Sequence, residues 1–400
     1  MSTPPIAALE IGTSRTVVLV GEMDSSRRVT ILGKGVASSF GLRKGQVIDS
    51  QNARRGVEIA IKQAADQGHV DIGEVLLAVG GGHVRSYANC AIASVASKDR
   101  IVTQEDIEEV TENAKSVAVE HDRDIMHTIP QKFSLDGQTG VVNPKGLQGS
   151  QLQLRMLIID AKHSPVENLR NVAIAAKVDV DDIVFNGLCA ALSVLSPDQK
   201  RNGVLVIDLG GGTTNYLVYA DNVIASAGSI AIGGEHVTND LAVAFNIERT
   251  QAEALKIQHG SAIVSPDIGL TRIQLPAGLG REGQSVSLRA FQTVINARMD
   301  ETLRIVRARL GKDDVLHNLK TGVVFTGGGA AMPGLLQLGT SIFGMPCIGG
   351  NPCMNVSGLE DVPDPAAYAT AAGLVLYGVK TYHETDVMQS IRDHLGRIFG

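Results

Sequence analysis

The chain has 400 residues, 44% of them apolar and 20% charged, which is more than one ordinary domain needs and excludes a disordered polymer. Its 36 basic residues against 42 acidic ones leave a net charge of −6, which argues against a general nucleic-acid binder. With no Trp, 8 Phe and 6 Tyr, platforms for stacking bases are not expected either.

The opening "MSTPPIAALEIGTSRT" has no basic segment leading into a long apolar run, so no signal peptide is expected. Residues 7–35, "AALEIGTSRTVVLVGEMDSSRRVTILGKG", read as a strand ending in Glu10, a turn at Gly12, a second strand, a polar turn and a third strand. Roughly 83–163 reads as a small α+β insertion. Its helix begins with a capping box of Thr103 and Asp106 and carries Ile107, Val110, Ala114 and Val117 on one face; strands broken by turns follow. Near the middle, "VLVIDLGGGTTNYLVYADNVIASAG" repeats the opening pattern, Glu10-Ile11-Gly12-Thr13 aligning with Asp208-Leu209-Gly210-Gly211. Two such units predict two similar α/β halves, each offering one loop to a shared cleft. A helical pair follows over "GGEHVTNDLAVAFNI" and "TQAEALKIQHG", the second also readable as a capping box of Thr250 and Glu253. Residues 288–310 read as a long amphipathic helix stopped by Gly311. A third glycine run, "VVFTGGGAAMPGLLQL", joins a strand to a helical stretch, and Asp364 and Pro365 read as the start of one more helix.

In both repeated units the glycine loop turns back into a strand. Walker loops and dinucleotide fingerprints instead enter a helix, and no G-x-x-x-x-G-K-[ST] is present. A phosphate is therefore expected to lie on loop N–H groups and threonine hydroxyls. A lone "GTS" is an ordinary turn, but "DLGGGTT" has more glycine than one turn requires, and three glycine loops in this order point to a nucleotide. The four cysteines, Cys90, Cys189, Cys347 and Cys353, form no C-x-x-C pair, and the histidines lack ligand spacing, so neither marks a metal site. Scattered thiols fit a reducing compartment.

The loop set "EIGTSR", "DLGGGTTN" and "FTGGGAAMPGL" resembles the phosphate 1, phosphate 2 and adenosine motifs of the actin/Hsp70/sugar-kinase superfamily. Within it the chain resembles the FtsA family of bacterial cell-division proteins. That narrower likeness rests on "GLRKGQVID" at 41–49, "VTQEDIEEVTENAKSV" at 102–117, "IPQKFSLDGQTGVVNPKGLQG" at 129–149 and "AEALKIQHGSA" at 252–262. The resemblance implies an actin-like two-lobed fold with an α+β insertion of the 1C type in the first lobe. Subdomain 1A would comprise 1–82, 164–202 and 364–382; 1C, 83–163; 2A, 203–228 and 301–363; 2B, 229–300; and 383–400 would be a linker and terminal amphipathic helix. It implies ATP and Mg²⁺ as cofactors. Gly12, Thr13, Ser14 and Arg15 would face the phosphates from one lobe, and Gly210, Gly211, Gly212, Thr213, Thr214 and Asn215 from the other. Gly234, Gly327, Gly328 and Gly329 would pack on adenosine, Glu253 and Lys256 would reach ribose or base, and Asp208 would hold the metal through water.

Two departures bear on chemistry. Glu10 stands where the superfamily usually has Asp, and Asn215 where it often has a second acid; an amide cannot accept a proton from an attacking water. The stretch "FNGLCAALSVL" also lacks a Glu or Gln to orient that water. Nucleotide is thus expected to be held and hydrolysed slowly or not at all. In the tail, Val387, Ile391 and Leu395 step by four beside Met388, Ile398 and Phe399, with Arg392 and Arg397 elsewhere. The pattern alone equally suits a terminal helix packed on its own domain; by the resemblance it is a membrane anchor for an anionic surface. Expected partners are the C-terminal peptide of the tubulin-like protein FtsZ, further copies of the chain in a filament, and other divisome proteins. The expected location is the cytoplasmic face of the membrane at the division site. The rival readings are a sugar or acetate kinase, a pilus-assembly ATP-binding protein and an Hsp70-like chaperone. The first lacks a convincing base, and the last would want a further peptide-binding domain.

Overall fold

The computed structural model describes residues 4–265, 268–275, 285–311 and 315–382. The first lobe opens as an antiparallel meander of β1 (Ile6–Ile11), β2 (Arg15–Met23) and β3 (Val29–Ser38). A short hairpin follows, β4 (Leu42–Arg43) and β5 (Gln46–Val47), then helix α1 (Ser50–Gly68). Asp49 caps α1 by accepting the Gln51 and Asn52 N–H groups at 3.1 Å each. The buried stripe of α1 is built from small residues, Ala53, Gly56, Ala60 and Ala64 with Val57, so it settles closely on β3. A Cβ on Gly35 of β3 would lie 1.7 Å from the Ala60 carbonyl oxygen. Strand β6 (Glu74–Val79) then runs parallel to β1.

From β6 the chain passes through Gly80, Gly81 and Gly82 into the insertion: β7 (Arg85–Ser94), α2 (Gln104–Lys115), β8 (Arg123–Leu135), β9 (Gln138–Val141) and β10 (Gln151–Lys162). Its four strands are antiparallel in the order β7-β10-β8-β9, and α2 lies over a core that includes Val110, Ala114, Leu152, Leu154 and Met156. The capping box forms as read: the Thr103 hydroxyl accepts from the Asp106 N–H at 3.3 Å, and the Asp106 carboxylate accepts from the Thr103 N–H at 2.8 Å. Val117 lies beyond the end of α2 yet packs on the same core.

The chain returns to the first lobe through α3 (His163–Ala175), β11 (Asp179–Phe185), which is parallel to β6, and helices α4 (Asn186–Val194) and α5 (Pro197–Asn202). The second lobe repeats the plan with β12 (Val204–Leu209), β13 (Thr214–Ala220) and β14 (Val223–Ile230) as an antiparallel meander. Next come α6 (Gly234–Phe245), α7 (Arg249–His259), the small ribbon β15 (Arg272–Gln274) and β16 (Ser285–Ser287), and α8 (Leu288–Leu310). Then β17 (Gly322–Thr326), α9 (Leu335–Phe343) and β18 (Cys347–Gly349) complete the sheet, β17 lying parallel to β12 and β18 to β17. β19 (Val356–Ser357) returns to the first lobe beside β3, before a helix over 369–382.

The five-strand order β11-β6-β1-β2-β3 of one sheet is matched by β18-β17-β12-β13-β14 in the other, with the same parallel and antiparallel pairings. That is the duplication expected from the two repeated segments. One apolar cluster fills the first lobe and continues into the second through Val204, Val206, Leu217 and Val324, a second lies within the second lobe, and a third in the insertion.

Three details differ from the sequence reading or escape it. The Asp364 side chain makes no capping bond, and the chain takes a 3₁₀ turn over Pro365–Tyr368 first, because the Gly327 N–H donates to the Ala366 carbonyl at 3.0 Å. Helix α7 begins at Arg249, and the Gln251 side chain accepts from the Glu248 N–H at 3.3 Å; Thr250 is inside the helix, so no Thr250–Glu253 box exists. Finally, β7 joins β14 through the single pair Arg85–Gly228, so the insertion extends the second lobe's sheet to nine strands. The Ser86 hydroxyl reinforces this seam, donating to the Ala227 carbonyl at 2.6 Å and accepting from its N–H at 3.0 Å, while Gln131 donates to the Ile224 carbonyl at 3.0 Å.

Candidate functional site

Parallel strands of both lobes present their carboxyl ends to one cleft, the usual place for a ligand in an open α/β sheet. At the tips of β1 and β12 the two glycine turns close in the same way. The Gly12 N–H donates to the Arg15 carbonyl at 3.0 Å, and the Gly210 N–H to the Thr213 carbonyl at 2.9 Å. The turns also face each other at close range. A Cβ on Gly211 would meet the Ser14 hydroxyl at 1.9 Å, and one on Gly212 the Thr13 hydroxyl at 2.3 Å. Only glycine allows that approach. Gly233, at the start of α6, is as tightly enclosed, since its Cβ would lie 2.5 Å from the Gly210 carbonyl oxygen.

Glu10 and Asp208 occupy matching positions on the two strand tips, and both carboxyls are pushed up from their ordinary range chiefly by burial. For Glu10 the neighbouring Asp208 adds to the effect, Arg15 opposes it, and the pKa rises to about 8. For Asp208 the hydrogen bonds from Asn215 and Thr370 and the charge of Arg15 pull back. The Asn215 amide donates to Asp208 Oδ2 at 2.9 Å, and the Thr370 hydroxyl to the same oxygen at 3.4 Å. Around this pair several acceptors are sealed from solvent without a partner: Glu10 Oε2, Asn186 Oδ1 and Asn215 Oδ1. Both amides crowd the Gly80 Cα, whose Cβ would fall 2.6 Å from Asn215 Oδ1 and 3.0 Å from the Asn186 amide.

Orphaned acceptors beside two carboxylates suit a hydrated cation, whose waters would donate to them. No group of three or more His, Cys, Asp or Glu that could hold a metal exists among the described residues. The protein thus offers a cation two carboxylates at most, and Mg²⁺, which keeps several waters, fits that better than a metal needing a full protein cage.

Several expected ligands are otherwise engaged. The Arg15 guanidinium donates to the Ala367 carbonyl and lies 4.9 Å from the Tyr368 ring centroid, tying the first turn to the root of the last helix. The Thr214 hydroxyl donates to the Ile232 carbonyl at 2.8 Å. Lys256 pairs with Glu253 at 2.7 Å and donates to Thr238 at 3.0 Å and the Gly234 carbonyl at 3.2 Å, so Glu253, Lys256 and Gly234 form one cluster on α6 and α7. Gly327 has φ +82° and lies against Asp208, where a Cβ would be 2.3 Å from Oδ1; Gly329 packs on Leu209, and a Cβ on Gly328 would meet only Ala367 Cβ, at 3.9 Å. The tail residues Val387, Met388, Ile391, Arg392, Leu395, Arg397, Ile398 and Phe399 lie outside the described residues. No described helix is long and apolar enough to cross a membrane.

Sequence reasoning missed Gly45, Gly80, Asn186 and Thr370. Asn186 stands at the first position of α4, within the stretch read as lacking a water-orienting Glu or Gln; an amide is present there. Its signal was its place at the carboxyl end of a parallel strand. Gly45 had a signal too, the two-residue Lys44-Gly45 turn of a hairpin.

Duplicated lobes, facing glycine turns and paired acids define the actin-like fold, and solved structures agree. The PilM-PilN type IV pilus biogenesis complex superposes with a TM-score of 0.64 at 16% identity, covering 94% of this chain and 98% of that one. MreB5 of Spiroplasma citri bound to ADP superposes with a TM-score of 0.56 at 15% identity, covering 98% and 99%. At the level of sequence, residues 205–373 match the model for cell division protein FtsA, and residues 81–160 the model for the SHS2 domain inserted in it. The cell division protein FtsA of Pseudomonas aeruginosa is 33% identical over 375 residues, 94% of this chain and 89% of its own length. That of Escherichia coli is 33% identical over 384 residues, 94% and 91%. The chain belongs to the FtsA family.

Proposed function

We propose that this FtsA-family chain binds ATP in the cleft, assembles into filaments and tethers FtsZ to the cytoplasmic face of the membrane at the division site, where later divisome proteins join. The carrying observation is the pair of facing glycine turns, each with an acid at its strand tip. A bound polyphosphate would touch both lobes at once and stabilise their closed arrangement by mass action. Asp208, through water, would hold Mg²⁺, which would supply charge neutralisation of the phosphates. Slow hydrolysis follows from the same geometry. Asn215 engages Asp208 and is no base, and Glu10, with its pKa raised to about 8, is largely protonated near neutrality.

The subdomain limits given above are part of this proposal. So is binding of the FtsZ C-terminal peptide to the second lobe between 229 and 300. It is supported by apolar side chains standing in solvent there, Val243 on α6 at 82% exposure and Ile257 on α7 at 76%. Attachment to lipid is assigned to the amphipathic tail. A single weakly basic tail binds feebly, whereas many on one filament gain by effective concentration. Sedimentation of the full chain with anionic liposomes tests this. Ile391→Asp with Leu395→Asp is expected to leave the protein in the supernatant, and pelleting equal to that of the unaltered chain would overturn the anchor.

A further inference from the structure

We propose that the β4–β5 hairpin reads the terminal phosphate of the nucleotide, with the Lys44 ammonium as its counter-charge. The inference rests on the nucleotide-binding reading and deepens it. The hairpin lies within "GLRKGQVID", and neither glycine turn includes it. Lys44 at φ +54° and Gly45 at φ +75° make a two-residue turn with both positions left-handed, the tightest connection between antiparallel strands. The Ile48 and Asp49 N–H groups close its base on the Gly41 carbonyl at 2.7 and 3.0 Å, and Asp49 goes on to cap α1. The tip is therefore carried by a built element.

That tip touches both lobes. The Gly45 N–H donates to the Thr13 hydroxyl at 3.2 Å, and a Cβ on Gly45 would lie 2.9 Å from Thr213 Cγ2 and 2.9 Å from the Gly80 carbonyl oxygen. These neighbours belong to the two glycine turns and the β6 end. Asp208 and Leu209, at the other side of the turns, are lined by Gly327 and Gly329. A nucleotide with its base toward those latter groups would bring its last phosphate toward Lys44.

Charge points the same way. A polyphosphate carries several negative charges, so the cleft needs cations. Arg15 is held by Ala367 and Tyr368, Lys256 by Glu253, Arg249 by Glu235 and Arg298 by Asp240 and Glu301. Lys44 is exposed, and its ammonium is paired with none of the described residues. Its charge reaches across to His236 in the first turn of α6, where it adds to burial in holding the imidazole pKa down. The hairpin tip thus sets Lys44 next to Gly45, whose N–H meets Thr13 of one glycine turn and whose Cα faces Thr213 of the other.

Loss of the terminal phosphate would take away the partner of Lys44, so the hairpin would distinguish ATP from ADP. The test is calorimetric titration of the full chain and of Lys44→Ala with ATP and with ADP, each with magnesium. Lys44→Ala is expected to weaken ATP about tenfold, the size of one charge-assisted contact, and ADP less than about twofold. Lys44→Arg is expected to retain most of the difference. An equal loss for both nucleotides, or none for ATP, would overturn the inference. Binding of neither nucleotide by the unaltered chain would instead remove the nucleotide reading beneath it.

Discussion

The two lobes share a backbone plan and differ in how their acids are kept. Asp208 in the second lobe has its Oδ2 satisfied by Asn215 and Thr370, whereas Glu10 in the first has a sealed oxygen with no donor. The first turn is bolted sideways by Arg15 to the 3₁₀ turn that precedes the 369–382 helix, and the second is wedged under α6 by Gly233. Duplication thus preserved the i to i+3 closure of each turn and left the side chains free to diverge. In the second lobe the acid itself is satisfied and the unfilled acceptor is Asn215 Oδ1, whereas in the first it is the acid's own oxygen.

Acid should separate the lobes most. His83 and His127, on the first-lobe and insertion side, are held neutral with pKa values near 4, each mainly by burial. The unfolded chain carries imidazoles near 6.5, so between pH 6.5 and 4 it binds the extra protons. Stability is then complete above about 6.5 and falls as pH drops toward 4, by on the order of 3 kcal/mol per imidazole. Hydrogen exchange read by mass spectrometry is expected to show first-lobe and insertion peptides opening before those of the second. His127→Gln, which can still accept from the Phe185 N–H now bonded to His127 at 3.0 Å, is expected to reduce that sensitivity by about half.

Next in size is the wedge. Gly233→Ala places a methyl against the Gly210 and Gly211 carbonyl oxygens, at 2.5 and 2.6 Å, and should cost about 3 kcal/mol with loss of nucleotide affinity. Gly12→Ala meets only the Arg15 carbonyl oxygen under 3.0 Å, at 2.7 Å, and should cost less, so chemical denaturation of the pair ranks the two turns. Asn215→Asp removes the amide donor and sets a second carboxylate beside Asp208. It should destabilise the ligand-free protein by roughly 2 kcal/mol, and magnesium with ATP should recover most of the loss in a thermal-shift experiment. Smallest is Arg15→Ala, about 1 kcal/mol, read as easier opening of the 369–382 helix while the second lobe is unchanged.

Much of this plan was legible in the sequence because its carriers are local. Apolar strands ending in an acid, glycine runs in tight turns and the Thr103–Asp106 box each declare themselves within a few residues. What escaped depends on distant partners. Asp364 reads as a cap, but Gly327 claims the next turn's carbonyl; Thr250 and Glu253 read as a box, yet the helix starts earlier and Glu253 turns to Lys256 and Thr238. The exchange of partners around Asp208 involves residues from 208 to 370, which no window of the chain brings together.

The seam between β7 and β14 carries one more consequence. The insertion enters and leaves through the first lobe, at the Gly80–Gly82 link and at β10, while its first strand is fastened to the second lobe through Ser86 and Ala227. It is therefore joined to both lobes, like the needle of a gauge anchored on one plate and resting on the other. Any change in the angle between the plates is therefore passed to the antiparallel strands that end at β9, the outer edge of the nine-stranded sheet.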